Sequence, residues 1–431
     1  MTEPNSPAGP KDEASLLGWG RKDGVATLSG APIARLLAEA GVATPAYMYD
    51  LGAIRRRVEL LVEAFGSAPH LIAYAVKANS SGSIVRTIAA AGGGLDAVSG
   101  GELRLGRAAG VEARKIVLSG VAKRDDEIDL AMNEDILAIQ SESVGELVRI
   151  AARARALGRR ARVSMRINPS VEIDSHAHIA TGHDAAKFGV AQRDLADAWA
   201  LLQKERESLE LVGVSTHVGS MLKKTDSYLE SANVVCDVAL DAQQRGHRLE
   251  YVDFGGGFGI DYGPGPVSPP HDFAAAALGL LGRRGLGLLK LVVEPGRSLV
   301  GPFGVLVSRV VQHKQSGERS WVMLDAGMND LMRPALYGAR HRIEPLESEP
   351  GAREHSIVGP VCESTDDFGV HALGEVPGYV AIRDAGAYSF SMASEYNARP
   401  LPAEIFVDGG RVVHVSPSPG VEDWIARRLR A

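Results

Sequence analysis

The chain has 431 residues, of which 45% are hydrophobic and 23% are charged, and its formal net charge is −6. This length exceeds what one hydrophobic core usually supports, so it predicts two domains, and the mild acidity argues against nucleic acid or an anionic membrane as a partner. The only cysteines are Cys236 and Cys362, which argues against a disulfide framework and favours a reducing compartment.

The first residues of the chain carry no targeting pattern. Residues 1–15 are rich in proline, serine and charge, and they predict a disordered lead-in rather than a signal peptide. The sequence contains no run of about 18 apolar residues, the minimum for a membrane span. We therefore expect a cytoplasmic protein. Residues 16–45, with a helix predicted over Pro32–Ala40, are expected to pack with the second domain.

Eight short apolar segments alternate with amphipathic stretches up to about residue 300. The clearest predicted helix covers residues 143–157, with charges on one face and Leu, Ile and Ala on the other. Eight strands alternating with helices predict a (β/α)8 barrel over residues 46–300, although the pattern alone also allows a doubly wound sheet. The predicted strands cover residues 72–76, 95–98, 116–118, 137–139, 163–167, 212–216, 251–254 and 291–293.

The order of predicted elements changes after about residue 300, where predicted strands follow one another without long helices between them. They cover residues 305–311, 321–324, 379–382, 405–407 and 412–415. Asp408, Gly409 and Gly410 form a hairpin-type turn between the last two strands. This pattern predicts a C-terminal antiparallel β domain over residues 301–431.

Lys77 ends the apolar run that begins at His70. An ammonium at the end of a buried strand is costly to desolvate, and lysines placed this way often serve as nucleophiles or Schiff-base formers. This segment alone favours the plainer interpretation, a lysine at the point where a strand meets solvent.

Polar residues follow nearly every predicted barrel strand, and catalytic groups of such barrels collect at the carboxyl ends of the strands. Each has a structural explanation by itself; His217 fits a core histidine and Arg166 a salt-bridge partner. These separate structural explanations do not account for a polar residue at the end of nearly every strand together with a lysine. The set is Asp96, Ser119, Ser141, Arg166, Asn168, His217, Glu294 and Arg297.

The run Gly255-Gly256-Gly257 directly follows one of these strands. Consecutive glycines let backbone N–H groups approach an anion such as phosphate, although such a run is often only a tight turn. No dinucleotide or P-loop fingerprint is present. Together with Lys77 and Glu294, the glycines suggest pyridoxal phosphate: the lysine would form the Schiff base and the carboxylate would pair with the pyridine nitrogen, an arrangement that favours decarboxylation.

The C-terminal part of the chain adds groups suited to substrate binding. Arg333 and Tyr337 are four residues apart after a predicted strand, and with Arg297 they suggest a clamp for a carboxylate. Cys362 follows a Gly-Pro turn and precedes an acid, whereas most buried cysteines are inert. Tyr388 either reaches the cofactor or fills core space.

Eight stretches, in order, resemble the fold type III pyridoxal-phosphate decarboxylases, and within them the diaminopimelate decarboxylase family. They are YAVKAN (74–79), VSGGEL (98–103), HVGS (217–220), GGGFGI (255–260), EPGRSLV (294–300), DAGMNDLMRPALYGA (325–339), GPVCES (359–364) and AGAYSFSMASEYNARPLPAEI (385–405). The resemblance implies an alanine-racemase-like barrel, a C-terminal β domain and a head-to-tail homodimer whose active sites lie between the two subunits.

The resemblance also implies a role for each matching residue in converting meso-diaminopimelate to L-lysine. Lys77 would carry pyridoxal 5′-phosphate, and Cys362 would reach in from the partner subunit as proton donor. The other residues implied to bind the cofactor are His217, Ser220, Gly256, Gly257, Glu294, Gly296, Arg297 and Tyr388. Those implied to bind the substrate are Arg297, Arg333, Tyr337, Glu363 (for the distal ammonium) and Tyr388. No metal is expected.

Small departures from the family pattern leave other hypotheses open. Met221 replaces a common Gln, residues 364–367 differ slightly, and residues 338–342 are unusually basic. One alternative is a decarboxylase of ornithine, arginine or a carrier-linked amino acid. Such substrates lack a distal carboxylate and amine on one carbon, which argues against them because the chain retains Arg297, Arg333, Tyr337 and Glu363. A catalytically silent regulatory paralogue is another, against which the retained lysine, acid and cysteine argue. A racemase would use an arginine at the pyridine nitrogen.

Overall fold

The computed structural model describes residue 16 and residues 18–170, 187–263 and 265–430. The disordered lead-in predicted for residues 1–15 lies outside this part of the chain. Among the described residues, no helix combines the length and the apolar character that crossing a membrane requires.

The N-terminal segment packs on the C-terminal domain rather than on the barrel. Its apolar residues, among them Leu28, Ile33 and Leu36, share a buried cluster with Val305, Ile405 and neighbouring residues of the C-terminal sheet. A small antiparallel sheet, β1–β3, precedes the helix, which begins one residue after its predicted start. The elements are β1 (Trp19–Lys22), β2 (Val25–Leu28), β3 (Ala31–Pro32), α1 (Ile33–Ala40) and β4 (Ala46–Asp50).

The next part of the chain alternates helices and strands, as its apolar pattern predicts. Its helices and strands are α2 (Leu51–Phe65), β5 (His70–Ala75), α3 (Gly82–Ala90), β6 (Gly94–Ala97), α4 (Gly100–Ala108), β7 (Ile116–Leu118), α5 (Asp125–Asn133), β8 (Ala138–Ser141), α6 (Val144–Leu157), β9 (Ala161–Arg166), α7 (Leu195–Lys204), β10 (Leu209–Ser215), α8 (Asp226–Gln244), β11 (Tyr251–Gly256), α9 (Pro270–Arg283), β12 (Lys290–Glu294) and α10 (Arg297–Val300).

Strands β5 to β12 form a closed parallel barrel in chain order, so the predicted (β/α)8 architecture is confirmed. Each strand pairs in parallel with the next, and β12 closes the barrel on β5 with Leu291 opposite His70. Because both faces of such strands are covered, they appear in the sequence as continuous apolar runs. Closure brings the carboxyl ends of all eight strands to one rim of the barrel, where Lys77, His217 and Glu294 lie.

The C-terminal domain is a nine-stranded, mostly antiparallel sheet, in agreement with the predicted fold class. Two of its pairs are parallel, β4 with β19 and β14 with β16. The predicted hairpin turn is present, with Gly409 and Gly410 both at positive φ. The elements are β13 (Gly304–Ser316), β14 (Arg319–Leu324), α11 (Arg333–Tyr337), β15 (Ile343–Pro345), β16 (Glu354–Val358), β17 (Asp367–Ala372), β18 (Tyr379–Ile382), β19 (Ala403–Asp408), β20 (Arg411–Ser416) and α12 (Val421–Leu429).

The position of β4 corrects the predicted start of the barrel. The sequence places residue 46 at the barrel boundary, but Ala46–Asp50 pairs with β13 and β19, so it belongs to the C-terminal sheet. The barrel part therefore begins with α2 at Leu51. All five residues of β4 are buried, and a fully buried strand carries no pattern that tells which sheet it joins.

Candidate active site

The carboxyl-end rim of the barrel and the C-terminal domain enclose a cavity of about 1090 Å³. Residues from strand ends on the barrel line one side, and residues of α11, its following loop and β17 line the other. Among them are seven of the residues singled out in the sequence: Lys77, His217, Ser220, Arg297, Arg333, Tyr337 and Tyr388.

Lys77 enters the cavity from a single 3-10 turn, Val76–Ala78, directly after β5. Its ammonium lies 2.8 Å from Oδ2 of Asp96, and its side chain remains 38% exposed towards the cavity. Burial lowers the pKa of Lys77, but Asp96, Tyr388 and Glu294 together outweigh burial and raise the pKa above its ordinary value. Asp96 is itself fixed by a hydrogen bond from the Ser119 hydroxyl. The structure therefore holds Lys77 as an ammonium in the absence of a ligand.

The run Gly255–Gly257 forms a tightly packed backbone turn beside Lys77. Gly255 and Gly257 have φ values of +70° and +87°, which L side chains rarely adopt. A Cβ atom on Gly256 would lie 1.9 Å from the carbonyl oxygen of Glu294, and one on Gly257 would lie 2.2 Å from that of Gly219. No side chain fits here, so an anion such as phosphate can approach the backbone closely, although the N–H groups of Gly255 and Gly256 donate to Oδ1 of Asp253 and Nδ1 of His217 in this structure.

His217 lies next to this turn. Its Nδ1 accepts a hydrogen bond from the Gly256 N–H at 3.2 Å and lies 3.8 Å from Oε2 of Glu294. Burial, with the positive charges of Arg166 and Lys77, lowers the pKa of His217 to about 3. The imidazole is therefore a neutral ring at physiological pH, which is suited to stacking on a flat cofactor.

Glu294 ends β12 and is buried beside Asp253 of β11. Burial, together with the negative charge of Asp253, raises the pKa of Glu294 well above its ordinary value, and burial raises that of Asp253 to about 7. No donor among the described residues reaches Oε1 of Glu294 or Oδ2 of Asp253. The two carboxyl groups are therefore held partly protonated, and a ligand that brings a positively charged N–H group, as a protonated pyridine does, would stabilise the ionised form of Glu294.

Two guanidinium groups face the same cavity. Arg297 donates to the Tyr262 hydroxyl at 2.8 Å and to Ser220 Oγ at 3.1 Å. Arg333 donates to Nε2 of His341 at 2.7 Å and lies over the Tyr262 ring, 4.6 Å from its centroid. Neither guanidinium forms an ion pair with a described carboxylate, and both Nε atoms are buried without an acceptor. The cavity therefore carries positive charge that an anionic ligand would balance.

Tyr388 joins the C-terminal domain to the barrel at this cavity, and Gly296 allows close packing within the barrel. The Tyr388 N–H donates to the Ala78 carbonyl oxygen at 2.7 Å, and the Arg297 guanidinium lies 4.6 Å from the centroid of the Tyr388 ring. A Cβ on Gly296 would lie 3.0 Å from Cβ of Ala78, so Gly296 allows the Lys77 turn to pack closely on the rim.

Comparison with known proteins accounts for this combination of groups. Residues 51–301 match the family model described as pyridoxal-dependent decarboxylase, pyridoxal binding domain. The diaminopimelate decarboxylase of Neisseria meningitidis serogroup B is 41% identical over 396 residues, which are 91% of this chain and 94% of the relative. That of Aquifex aeolicus is 38% identical and covers 91% of this chain and 92% of the relative.

The chain belongs to the diaminopimelate decarboxylase family. The crystal structure of the Helicobacter pylori enzyme complexed with L-lysine has a TM-score of 0.83 to this chain at 37% identity, covering 90% of this chain and 97% of that one. The M. jannaschii enzyme in complex with L-lysine has a TM-score of 0.88 at 33% identity, covering 96% and 98%. This is a family of pyridoxal-dependent decarboxylases, so the cofactor of this chain is pyridoxal phosphate.

Six of the thirteen residues that the family resemblance singled out do not line the cavity. Gly256, Gly257, Glu294 and Gly296 adjoin residues that line it, and the other two lie on the C-terminal domain. Cys362 and Glu363 are exposed on the C-terminal domain; the Cys362 N–H donates to Oδ1 of Asn397 at 3.2 Å, and Glu363 accepts a hydrogen bond from the Tyr396 hydroxyl. Neither is among the residues that line the Lys77 cavity. Within one subunit, the structure therefore does not bring the implied proton donor to the lysine.

Sequence reasoning left four residues of this site without a role. Asp96 was noticed at a strand end but not given a function, although a carboxylate beside a lysine is a recognisable signal. Asp253 lies immediately before the glycines. Tyr262 and His341 face Arg333, and no local pattern marks them, because the contacts that place them join distant parts of the chain.

Proposed function

We propose that this chain decarboxylates meso-2,6-diaminopimelate to L-lysine and carbon dioxide, the reaction for which its relatives are named, with pyridoxal 5′-phosphate as cofactor. The relatives match over nine-tenths of the chain and include structures complexed with L-lysine. The cavity supports this substrate in particular, because it combines a lysine, a phosphate-sized backbone turn and two cationic side chains that lack an anion.

The observation that carries the proposal is the pair Arg297 and Arg333. A substrate such as ornithine or arginine has no carboxylate at its distal end and would leave both guanidiniums unbalanced. Diaminopimelate has a second amino-acid group there, and guanidinium binds carboxylate with two parallel hydrogen bonds. The two ends of the meso substrate differ only in configuration, so holding the distal end decides which carboxylate faces the lysine.

The residues of this chain fit pyridoxal phosphate at three points. Gly256, Gly257 and Ser220 would hold the phosphate, Glu294 would accept the pyridine N–H, and Lys77 would carry the cofactor covalently. When bound, the cofactor withdraws electrons from the substrate Cα, which allows the α-carboxylate to leave as carbon dioxide. His217 would lie against the ring as a neutral group, and its low pKa keeps it from adding charge beside Lys77.

We further propose a homodimer that completes each site with Cys362 and Glu363 of the other subunit. Both residues are exposed, on the domain that follows the barrel. Cys362 would supply the proton to Cα after carbon dioxide leaves, and Glu363 would bind the distal ammonium. Both cysteines are free. An exposed thiol that must stay reduced fits the cytoplasm, which is where we propose that the protein works.

The test is to incubate the purified protein and pyridoxal phosphate with meso-diaminopimelate, ornithine or L-lysine, and to measure carbon dioxide release. We expect the unmodified protein to release carbon dioxide from diaminopimelate but not from ornithine or L-lysine. We expect the Lys77→Ala variant to release none from any of the three. Turnover of ornithine or L-lysine without turnover of diaminopimelate would refute the proposed substrate. Activity that persists in Lys77→Ala would refute the role of the lysine.

A further inference from the structure

His341 lies behind Arg333 and contacts it directly. Nε2 of His341 is 2.7 Å from Nη1 of Arg333, and Nδ1 of the same ring is 2.8 Å from the carbonyl oxygen of Arg383. His341 and Arg333 are both buried. The imidazole thus bridges the Arg333 side chain to the backbone that follows β18.

These two contacts fix the protonation of the ring. A guanidinium only donates hydrogen bonds, so Nε2 of His341 must be the acceptor and carry no proton. The Arg383 carbonyl only accepts, so Nδ1 must carry the proton and donate it. Both ring nitrogens are satisfied by the neutral Nδ1–H tautomer and by no other form of the side chain.

The surroundings of His341 oppose any other state. Burial and the positive charges of Arg333, Arg297 and Arg342 lower the pKa of His341 to about 3. The Tyr262 ring packs edge-on against the imidazole, with centroids 5.2 Å apart. His341 forms no ion pair with a carboxylate of the described residues, so it stays an uncharged acceptor across the physiological pH range.

We propose that His341 is a positioning residue that orients Arg333 towards the distal carboxylate of the substrate; this inference rests on the proposed function. Arg333 has no described carboxylate to hold it, and a guanidinium on a flexible chain binds an oxyanion well only when its planar face is fixed. The Tyr262 ring covers one face of the guanidinium and His341 holds one edge. Arg333 also lines the cavity, where the distal carboxylate of the substrate would reach its guanidinium.

The proposal predicts a loss that depends on the ligand. L-lysine retains the amino-acid end that diaminopimelate places in the clamp, whereas cadaverine has amines at both ends and no carboxylate. In the cofactor-loaded His341→Leu variant, we expect the affinity for L-lysine to fall about tenfold or more, the size of losing a hydrogen bond to a charged group, while the affinity for cadaverine changes less than twofold. Isothermal titration calorimetry measures both.

Two further variants separate positioning from stability. His341→Gln can place its amide oxygen where Nε2 lies, so it should recover most of the L-lysine affinity that His341→Leu loses. His355→Leu is the matched control: His355 is a buried histidine of the same domain whose two ring nitrogens bond Ser320 and the Gly374 carbonyl, and none of these three residues lines the cavity. It should be destabilised to a similar extent and yet bind L-lysine as the unmodified protein does.

Kinetics give a second measure in the same variants. With meso-diaminopimelate, His341→Leu should raise KM by about the same factor as it weakens L-lysine binding, with a smaller change in kcat. The inference is overturned if folded His341→Leu binds L-lysine with unchanged affinity. It is also overturned if the variant loses affinity for L-lysine and for cadaverine by the same factor. The binding measurements do not depend on turnover, so a protein that binds L-lysine through His341 but does not decarboxylate diaminopimelate would refute the proposed function alone.

Discussion

The ammonium of Lys77 and Oδ2 of Asp96 are 2.8 Å apart, which makes a charged pair at the point where the cofactor is expected to bind. An amine attacks a carbonyl only as the neutral form, so this ion pair holds the lysine in its unreactive state. The protein thus keeps a charged, satisfied lysine until a ligand displaces the carboxylate.

Asp96→Asn should make Lys77 reactive at lower pH. Burial alone depresses the pKa of this lysine, and the opposing carboxylate raises it, so removing that charge should lower the pKa by about 1–3 units. The rate at which pyridoxal phosphate attaches to Lys77, trapped by borohydride, should therefore be higher in the variant than in the unmodified protein at each pH from 6 to 10. An unshifted profile would show that Asp96 does not control the lysine. Asp135→Asn, at an exposed aspartate paired with Arg114, is the control.

Gly257→Ala should abolish cofactor binding without unfolding the protein. Its Cβ would lie 2.2 Å from the Gly219 carbonyl oxygen and would occupy the turn that the phosphate approaches. Gly92→Ala is the matched control, because Gly92 also has positive φ (+95°) but has no neighbour within 4 Å of an added Cβ. Both variants should lose about 1 kcal/mol from backbone strain at positive φ, and Gly257→Ala should lose more because the Gly219 carbonyl must move. Equilibrium titration with pyridoxal phosphate should separate them; similar affinities would contradict the proposed phosphate site.

Much of this architecture is predictable from the sequence because parallel barrel strands are buried on both faces. All eight predicted strands overlap β5–β12, and Lys77 and Glu294 were recognised because they follow such strands. The β domain was predicted less completely: β15 has only three residues, and β17 alternates irregularly between buried and exposed positions. The hydrophobic pattern of neither strand can be distinguished from that of a loop.

The residues that sequence reasoning missed depend on contacts between distant positions. β4 is separated from its partner β13 by more than 250 residues, and its apolar sequence fits either domain. His341 is defined by a contact with the Arg383 carbonyl, 42 residues away, and Tyr262 by contacts with Arg297 and Arg333. The periodicity of hydrophobic residues describes one helix or strand at a time and carries no information about contacts between distant parts of the chain.

Mixing two inactive variants tests the shared site. Lys77→Ala and Cys362→Ala should each be nearly inactive alone. If Cys362 acts in the partner's site, a 1:1 mixture after subunit exchange contains mixed dimers in which one site of two keeps both residues, so about a quarter of full activity should return. If both residues act within one subunit, carbon dioxide release from the mixture stays at the level of the separate variants.

Glu404 is a buried acid beside the Ser81 hydroxyl, which contacts both Oδ1 of Asn79, at 2.7 Å, and Oε1 of Glu404. Hydrogen bonds with Ser81 and Tyr49 favour the ionised carboxylate, but burial outweighs them and raises the pKa of Glu404 to about 7. Below that pH the folded protein therefore holds a proton on Glu404.

Glu404→Gln should therefore stabilise the protein at alkaline pH relative to the unmodified chain. Between pH 4.5 and 7 the folded state holds a proton that the unfolded state has released, so stability falls as pH rises, by about 1.4 kcal/mol per pH unit and about 3 kcal/mol in total. Glutamine supplies the same donor at every pH and removes this dependence. Urea unfolding at pH 5 and pH 8 measures this: between the two pH values, the free energy of unfolding of the variant should rise by about that amount relative to the unmodified chain. The control is Glu354→Gln, at an exposed strand end, which should show no such rise. An equal rise in both variants would show that Glu404 is not the group that holds the proton.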